Sequence, residues 1–200
     1  LSLPVDIMFS HFAEDAGRDE RPFDLSMQLP ARAWPEPARL QQLLQKLNAA
    51  KRPILIGGHG VWWAKAAAKL EEAGRLLGIP VFNIPYHQKL LGEEREAYMG
   101  LADIHQYHPS ADAFRDADLV LMVGGRLDNQ MNFGNPPLFP SNAELACGNG
   151  SHEEREFNRA ADFTWVWDPV AFLATLGAHR QNSEVRLPRG WAALNRPWEP

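Results

Sequence analysis

The apolar residues of this chain come in two patterns, short unbroken runs and stripes at three- and four-residue spacing. After Pro37, Leu40, Leu43, Leu44 and Leu47 fall at i, i+3, i+4, i+7 and predict a helix that closes by Asn48 to Lys51. Pro53-Ile54-Leu55-Ile56 follows as a buried strand and runs straight into Gly57-Gly58-His59-Gly60. Trp63, Ala66 or Ala67, Leu70, Ala73 and Leu77 then predict the inner face of one long helix, ended by Gly78. Ile79 to Asn83 is the next strand. Residues 84–108 read as irregular and polar, with scattered helical signal around Glu93 to Tyr98. A short helix, Ser110 to Ala117, leads into Leu119-Val120-Leu121-Met122-Val123, a run with no polar face and so a strand buried on both sides. Glu144 to Cys147 is a weaker strand that ends at Gly148-Asn149-Gly150. Ser151 is placed to cap a short helix with Glu153 and Glu154 in its first turn. Phe163 to Val166 makes a further strand. Asp168 as N-cap and Pro169 at the first helical position start a last helix, to about Ala178.

Strand and helix in alternation, with glycines at strand ends, predict an α/β fold: a doubly wound parallel sheet of about six strands, Rossmann-like. Residues 36–180 form this domain. Residues 1–35 carry charge without period and several prolines, and 181–200 are again proline-rich, so both read as arms or linkers. A net charge of −5 argues against a nucleic-acid binder, which is usually basic. No apolar run approaches the roughly 18 residues a membrane helix needs, and no basic leader precedes an apolar stretch. Cys147 is alone, which excludes an internal disulfide and fits a reducing compartment, hence a cytoplasmic setting.

The chemistry concentrates at strand ends. Gly124 and Gly125 close the most apolar strand, and Arg126 follows where a guanidinium reaches a phosphate or carboxylate in bidentate fashion. The same side chain also suits an ion pair with Asp128 or Asp103. Gly57, Gly58, His59 and Gly60 form either a pyrophosphate cradle at a helix N-terminus or simply a turn. Asn149 suits a ribose or adenine edge, or an ordinary turn. Asp128 is expected to orient its loop. Asp103, His105 and His108 have the types of a metal set but not a complete one, so no metal site is expected. Trp62 and Trp63 read as one core and one interface residue. Cys147 reads as a small buried hydrophobe, and Glu14, Asp15, Asp19 and Glu20 as a solvated run. No catalytic residue emerges.

On three stretches the chain resembles the central domain of thiamine-diphosphate-dependent enzymes of the acetolactate synthase, 2-hydroxyacyl-CoA lyase and oxalyl-CoA decarboxylase group. They are RPILIGGHGV, GGRLDNQMNFGNPPLF and ADFTWVWDPVAFL; the opening LSLPVDI is similar to the last strand of the preceding pyrimidine-binding domain. The resemblance implies a nucleotide-binding type of sheet and a parent enzyme that makes or breaks a carbon–carbon bond next to a carbonyl, using thiamine diphosphate and Mg2+. It implies partners in the missing pyrimidine- and diphosphate-binding domains, and a homo-oligomeric parent. It also implies a non-reacting ADP, FAD or CoA in this domain, held through Gly57 to Gly60, Gly124, Gly125, Arg126, Leu127 and Asn149. Three departures stand against that last point. Asn149 is uncharged where the family usually has an acid, position 128 is Asp rather than Asn, and GLADIH matches the family's ligand loop only loosely. The Gly-Asp-Gly motif that holds the cofactor diphosphate is absent. The 200 residues by themselves are therefore expected to be inactive, and a purely structural domain with a decayed nucleotide site is the other expectation.

Overall fold

Six parallel strands form among the described residues, most of them from apolar runs too short for helices. They are β1 (Pro53–Gly57), β2 (Val81–Asn83), β3 (Tyr98–Leu101), β4 (Leu119–Val123), β5 (Glu144–Asn149) and β6 (Phe163–Val166). The computed structural model describes residues 32–84, 97–102, 110–151 and 158–181, all within one unit beginning at Arg32. The sheet order is β3-β2-β1-β4-β5-β6, with every pair parallel. Chain order reverses between β1 and β4, and in sheets of this kind ligands sit beyond the strand carboxyl ends at that reversal.

Alternation along the strands divides the core. Leu55, Leu119, Leu121, Val123, Ala146, Phe163 and Trp165 face one layer. There they meet Leu43, Leu44 and Leu47 of α1 (Pro37–Ala49), Leu70, Ala73 and Leu77, and Phe172, Leu173 and Leu176. Ile54, Ile56, Val120, Met122, Leu145 and Cys147 face the other, against Ala113 and Phe114. Both faces of the sheet are thus covered, as a fully apolar strand requires.

The single helix expected after β1 is two. α2 (His59–Trp63) stops after five residues, and α3 (Ala67–Leu77) starts afresh beyond Lys65, whose φ of 53° is left-handed. The break rotates the apolar stripe, so Trp63 lies 74% exposed and Trp62 46%. Neither is the core residue that periodicity placed there. Gly78, at φ 67°, ends α3 as predicted. Residues 84–108 were expected to be irregular, yet Tyr98–Leu101 is the edge strand β3. It was hidden because it is only half-buried and contains Gly100. α4 (Ser110–Arg115) is two residues shorter than predicted, and α5 (Pro169–Gln181) begins at the predicted cap, with the Ala171 N–H donating to Asp168 Oδ1 at 2.9 Å. The arms outside 32–181, the helix expected from Ser151, and Asp103, His105 and His108 lie outside the described residues.

Between β4 and β5 no helix forms. The connection is an arm with one 3-10 turn at Asn132–Gly134, nailed to the second core layer by Leu127, Met131, Leu138 and Phe139. At the amino end of β4, the Asp118 carboxylate accepts from the Lys51 and Arg52 N–H groups at 2.7 and 2.8 Å, which fixes the entry to β1 beside it.

Candidate functional site

β1 and β4 pair in register from Pro53 opposite Leu119 to Gly57 opposite Val123, so their glycine loops leave the sheet side by side. The Gly58 N–H donates to the Val123 carbonyl at 2.9 Å, the Gly60 N–H to Gly124 at 2.8 Å, and the Gly124 N–H to Gly148 at 2.6 Å. Three strand ends are stitched together through glycines. Gly124 has φ +65°, and a Cβ there would stand 2.6 Å from the Gly60 Cα and 2.8 Å from its nitrogen. A Cβ on Gly60 would meet the Gly124 Cα at 2.8 Å, and one on Gly58 would enter the backbone of Gly124 and Gly125. The glycines are there because two backbones touch.

This contact changes what the first loop offers. Two of its N–H groups, at Gly58 and Gly60, already donate to protein carbonyls and are not available to a pyrophosphate. His59 is half-buried at the start of α2. Gly125 packs on Met122, and Arg126 beyond it is exposed. Leu127 turns the other way, 4% exposed in the core, and anchors the arm. Asn149, 6% exposed at the end of β5, donates its amide to the Gly125 carbonyl at 3.1 Å. The structure therefore gathers Gly57, Gly58, Gly60, Gly124, Gly125 and Asn149 into one closely packed floor, followed in the chain by the exposed Arg126 at its rim. Asp128 orients the loop as expected: its Oδ1 accepts from the Gln130 and Met131 N–H groups at 3.0 and 3.2 Å.

Two residues that sequence reasoning missed hold the arm. Arg159 donates to the carbonyls of Gly134 (2.9 Å), Pro140 (3.2 Å) and Ala143 (2.6 Å). Asn158 donates its side-chain amide to the Leu127 carbonyl. Both are far in sequence from what they bind, and the stretch around them is polar. The arm also holds Asn132 and Phe133 at φ 47° and 53°, with Phe133 45% exposed.

Cys147 lies within β5, where burial pushes its thiol up to about 12; Arg159 lowers it less than burial raises it. At neutral pH it is a protonated hydrophobe. Among the described residues no three histidines, cysteines or acids gather to hold a metal ion. Among the same residues no helix is long and apolar enough to cross a membrane.

Comparison with known proteins agrees with this architecture. The chain is 30% identical over 111 residues to 2-hydroxyacyl-CoA lyase 1 of Dictyostelium discoideum, covering 56% of this chain and 18% of that protein. It is 26% identical over 165 residues to acetolactate synthase of Mycobacterium bovis, covering 80% and 26%. The chain thus spans about a quarter or less of these relatives. Benzoylformate decarboxylase from Polynucleobacter necessarius superposes with a TM-score of 0.61 at 17% identity, over 75% of this chain and 28% of that one, which speaks for the fold. The model of the thiamine pyrophosphate enzyme central domain matches residues 40–176, from within α1 to within α5, and on that match the chain belongs to the central-domain family of thiamine pyrophosphate enzymes.

Proposed function

We propose that these residues form the central domain of a longer thiamine-diphosphate-dependent lyase, decarboxylase or synthase acting on carbon–carbon bonds next to a carbonyl. In that reading residues 36–180 are the domain, and the stretches on either side lead to pyrimidine- and diphosphate-binding domains of the same cytoplasmic, homo-oligomeric protein. The cofactor and its Mg2+ are held by those other domains, so the 200 residues alone do not turn over. The carboxyl edge of β1, β4 and β5 takes a non-reacting nucleotide, ADP, FAD or CoA, with Arg126 on its phosphate and the glycine floor beneath.

The observation that carries the nucleotide reading is Arg126, exposed at the rim of a glycine floor where chain order reverses in a parallel sheet. One observation favours a second reading, a domain that only supports assembly. The Gly58 and Gly60 N–H groups are engaged by the neighbouring loop, and the Asn149 amide is engaged by Gly125. A glycine floor built for close packing needs no ligand.

Thermal melting separates the two. A ligand at about 100 times its dissociation constant adds roughly 2.7 kcal/mol, which for a chain of this size raises the midpoint by about 5–10 °C. A rise with ADP, FAD or CoA supports the nucleotide reading, and no rise with any of them supports the structural one. Coding sequence on both sides of the domain tests the parent: a Gly-Asp-Gly downstream and a strand-end glutamate upstream are expected.

A further inference from the structure

A bulky residue at φ 53° is a backbone outlier, and Phe133 follows another at Asn132 and precedes Gly134 at φ 78°. Such a run persists only where its surroundings impose it. Here they do. The Phe133 N–H donates to the Asp128 carbonyl at 2.8 Å. The Asn132 amide donates to the carbonyls of Asn135 and Pro136 at 3.2 and 2.6 Å. Arg159 holds the Gly134 carbonyl, and the side chains of Leu127 and Arg159 pack where a Cβ on Gly134 would stand.

The turn itself has no need of a phenylalanine. Asparagine or glycine would sit at this backbone with less strain, and the ring, 45% exposed, belongs to neither core layer. Its place in the chain is close to the rim described above. Asp128, which its N–H reaches, is two residues from Arg126, and two residues of extended chain span at most about 7 Å. A half-exposed aromatic ring and an exposed guanidinium carried on one arm suit a ligand with a planar ring at one end and an anion at the other. We infer that Phe133 is a binding residue that stacks on the base of a nucleotide whose phosphate lies at Arg126. The inference rests on the nucleotide reading and adds to it the residue that recognises the base.

The strain gives the inference an unusual signature, because stability and binding move in opposite directions. In the full chain, Phe133→Asn is expected to leave the thermal midpoint unchanged or raise it by about 2 °C or more. It should weaken ADP by about fivefold or more in isothermal titration, the range of a lost base–aromatic stack. Phe133→Tyr keeps the ring and should keep the affinity. Inorganic pyrophosphate, which has no base, should bind Phe133→Asn and the native chain alike. A lowered midpoint in Phe133→Asn would show the ring to be structural, and unchanged ADP affinity would show that it makes no contact; either overturns the inference while the nucleotide reading stands. If the native chain binds none of ADP, FAD and CoA, the nucleotide reading fails and takes the inference with it.

Discussion

Replacing Gly124 with alanine tests whether the two glycine loops interlock as described. The substitution meets two separate obstacles. Its backbone is left-handed at φ +65°, which for a residue with a Cβ costs roughly 1–2 kcal/mol. The new methyl would stand 2.6 Å from the Gly60 Cα and 2.9 Å from the Val61 nitrogen, backbone atoms that a side-chain rotation cannot clear. Crowding of this kind costs about 1–3 kcal/mol, so the total is roughly 2–5 kcal/mol. Gly125→Ala is the internal control. Its φ is not left-handed, and its methyl would meet the Met122 Sδ at 2.7 Å, the end of a flexible side chain that can move aside. Its cost should stay near 1 kcal/mol. In urea denaturation with an m-value of about 2 kcal/mol per molar, Gly124→Ala should lower the midpoint by roughly 1–2.5 M and Gly125→Ala by about 0.5 M. Equal shifts for the two variants, or a Gly124→Ala cost below about 1 kcal/mol, would refute the interlocked floor.

Two further outcomes follow from the arm and from the buried thiol. Arg159→Ala leaves the carbonyls of Gly134, Pro140 and Ala143 without their shared donor, and hydrogen bonds to a charged group are worth about 1.5–3 kcal/mol each. With water replacing part of the loss, a destabilisation of about 3 kcal/mol is expected in urea, and Arg159→Lys should recover only part of it because an ammonium lacks the planar fork. Cys147 is raised in the folded state from 9.0 to about 12. Below pH 9 the thiol is neutral in both states and its burial contributes in full. Between about 9 and 12 it ionises only when unfolded, so stability falls with rising pH by about 1.4 kcal/mol per unit. Cys147→Ala should remove that slope when ΔG is compared with the native chain across pH 8–11, and parallel curves would contradict it.

What could be read from the sequence follows from how each element is stabilised. β1 and β4 were plain because every residue from Ile54 to Ile56 and from Leu119 to Val123 is buried, so the apolar run is itself the strand. β3, which among the described residues is an edge strand paired with β2, is half-buried and contains Gly100, so it left no apolar run to find. The break between α2 and α3 had no proline or glycine to announce it. It turns on Lys65, and the two tryptophans before it fit a continuous stripe that the chain does not form. The glycines at the sheet edge were visible, but glycine is needed both where a ligand approaches and where another backbone does. Only the register of β1 against β4 shows the second cause at Gly58, Gly60 and Gly124. Arg159 was invisible because its contacts are carbonyls 16 to 25 residues away, which carry no side-chain signature.

The central claim is that the rim at Arg126 takes the phosphate of a nucleotide, and isothermal titration of ADP into the native chain and into Arg126→Gln tests it most directly. Arg126→Gln removes the charge from an exposed position and leaves the floor intact, so its melting midpoint should stay within about 2 °C of native. Saturable ADP binding by the native chain, weakened about tenfold or more in Arg126→Gln, is the expected result for loss of a charge-assisted contact. Equal affinity in the two proteins would contradict it.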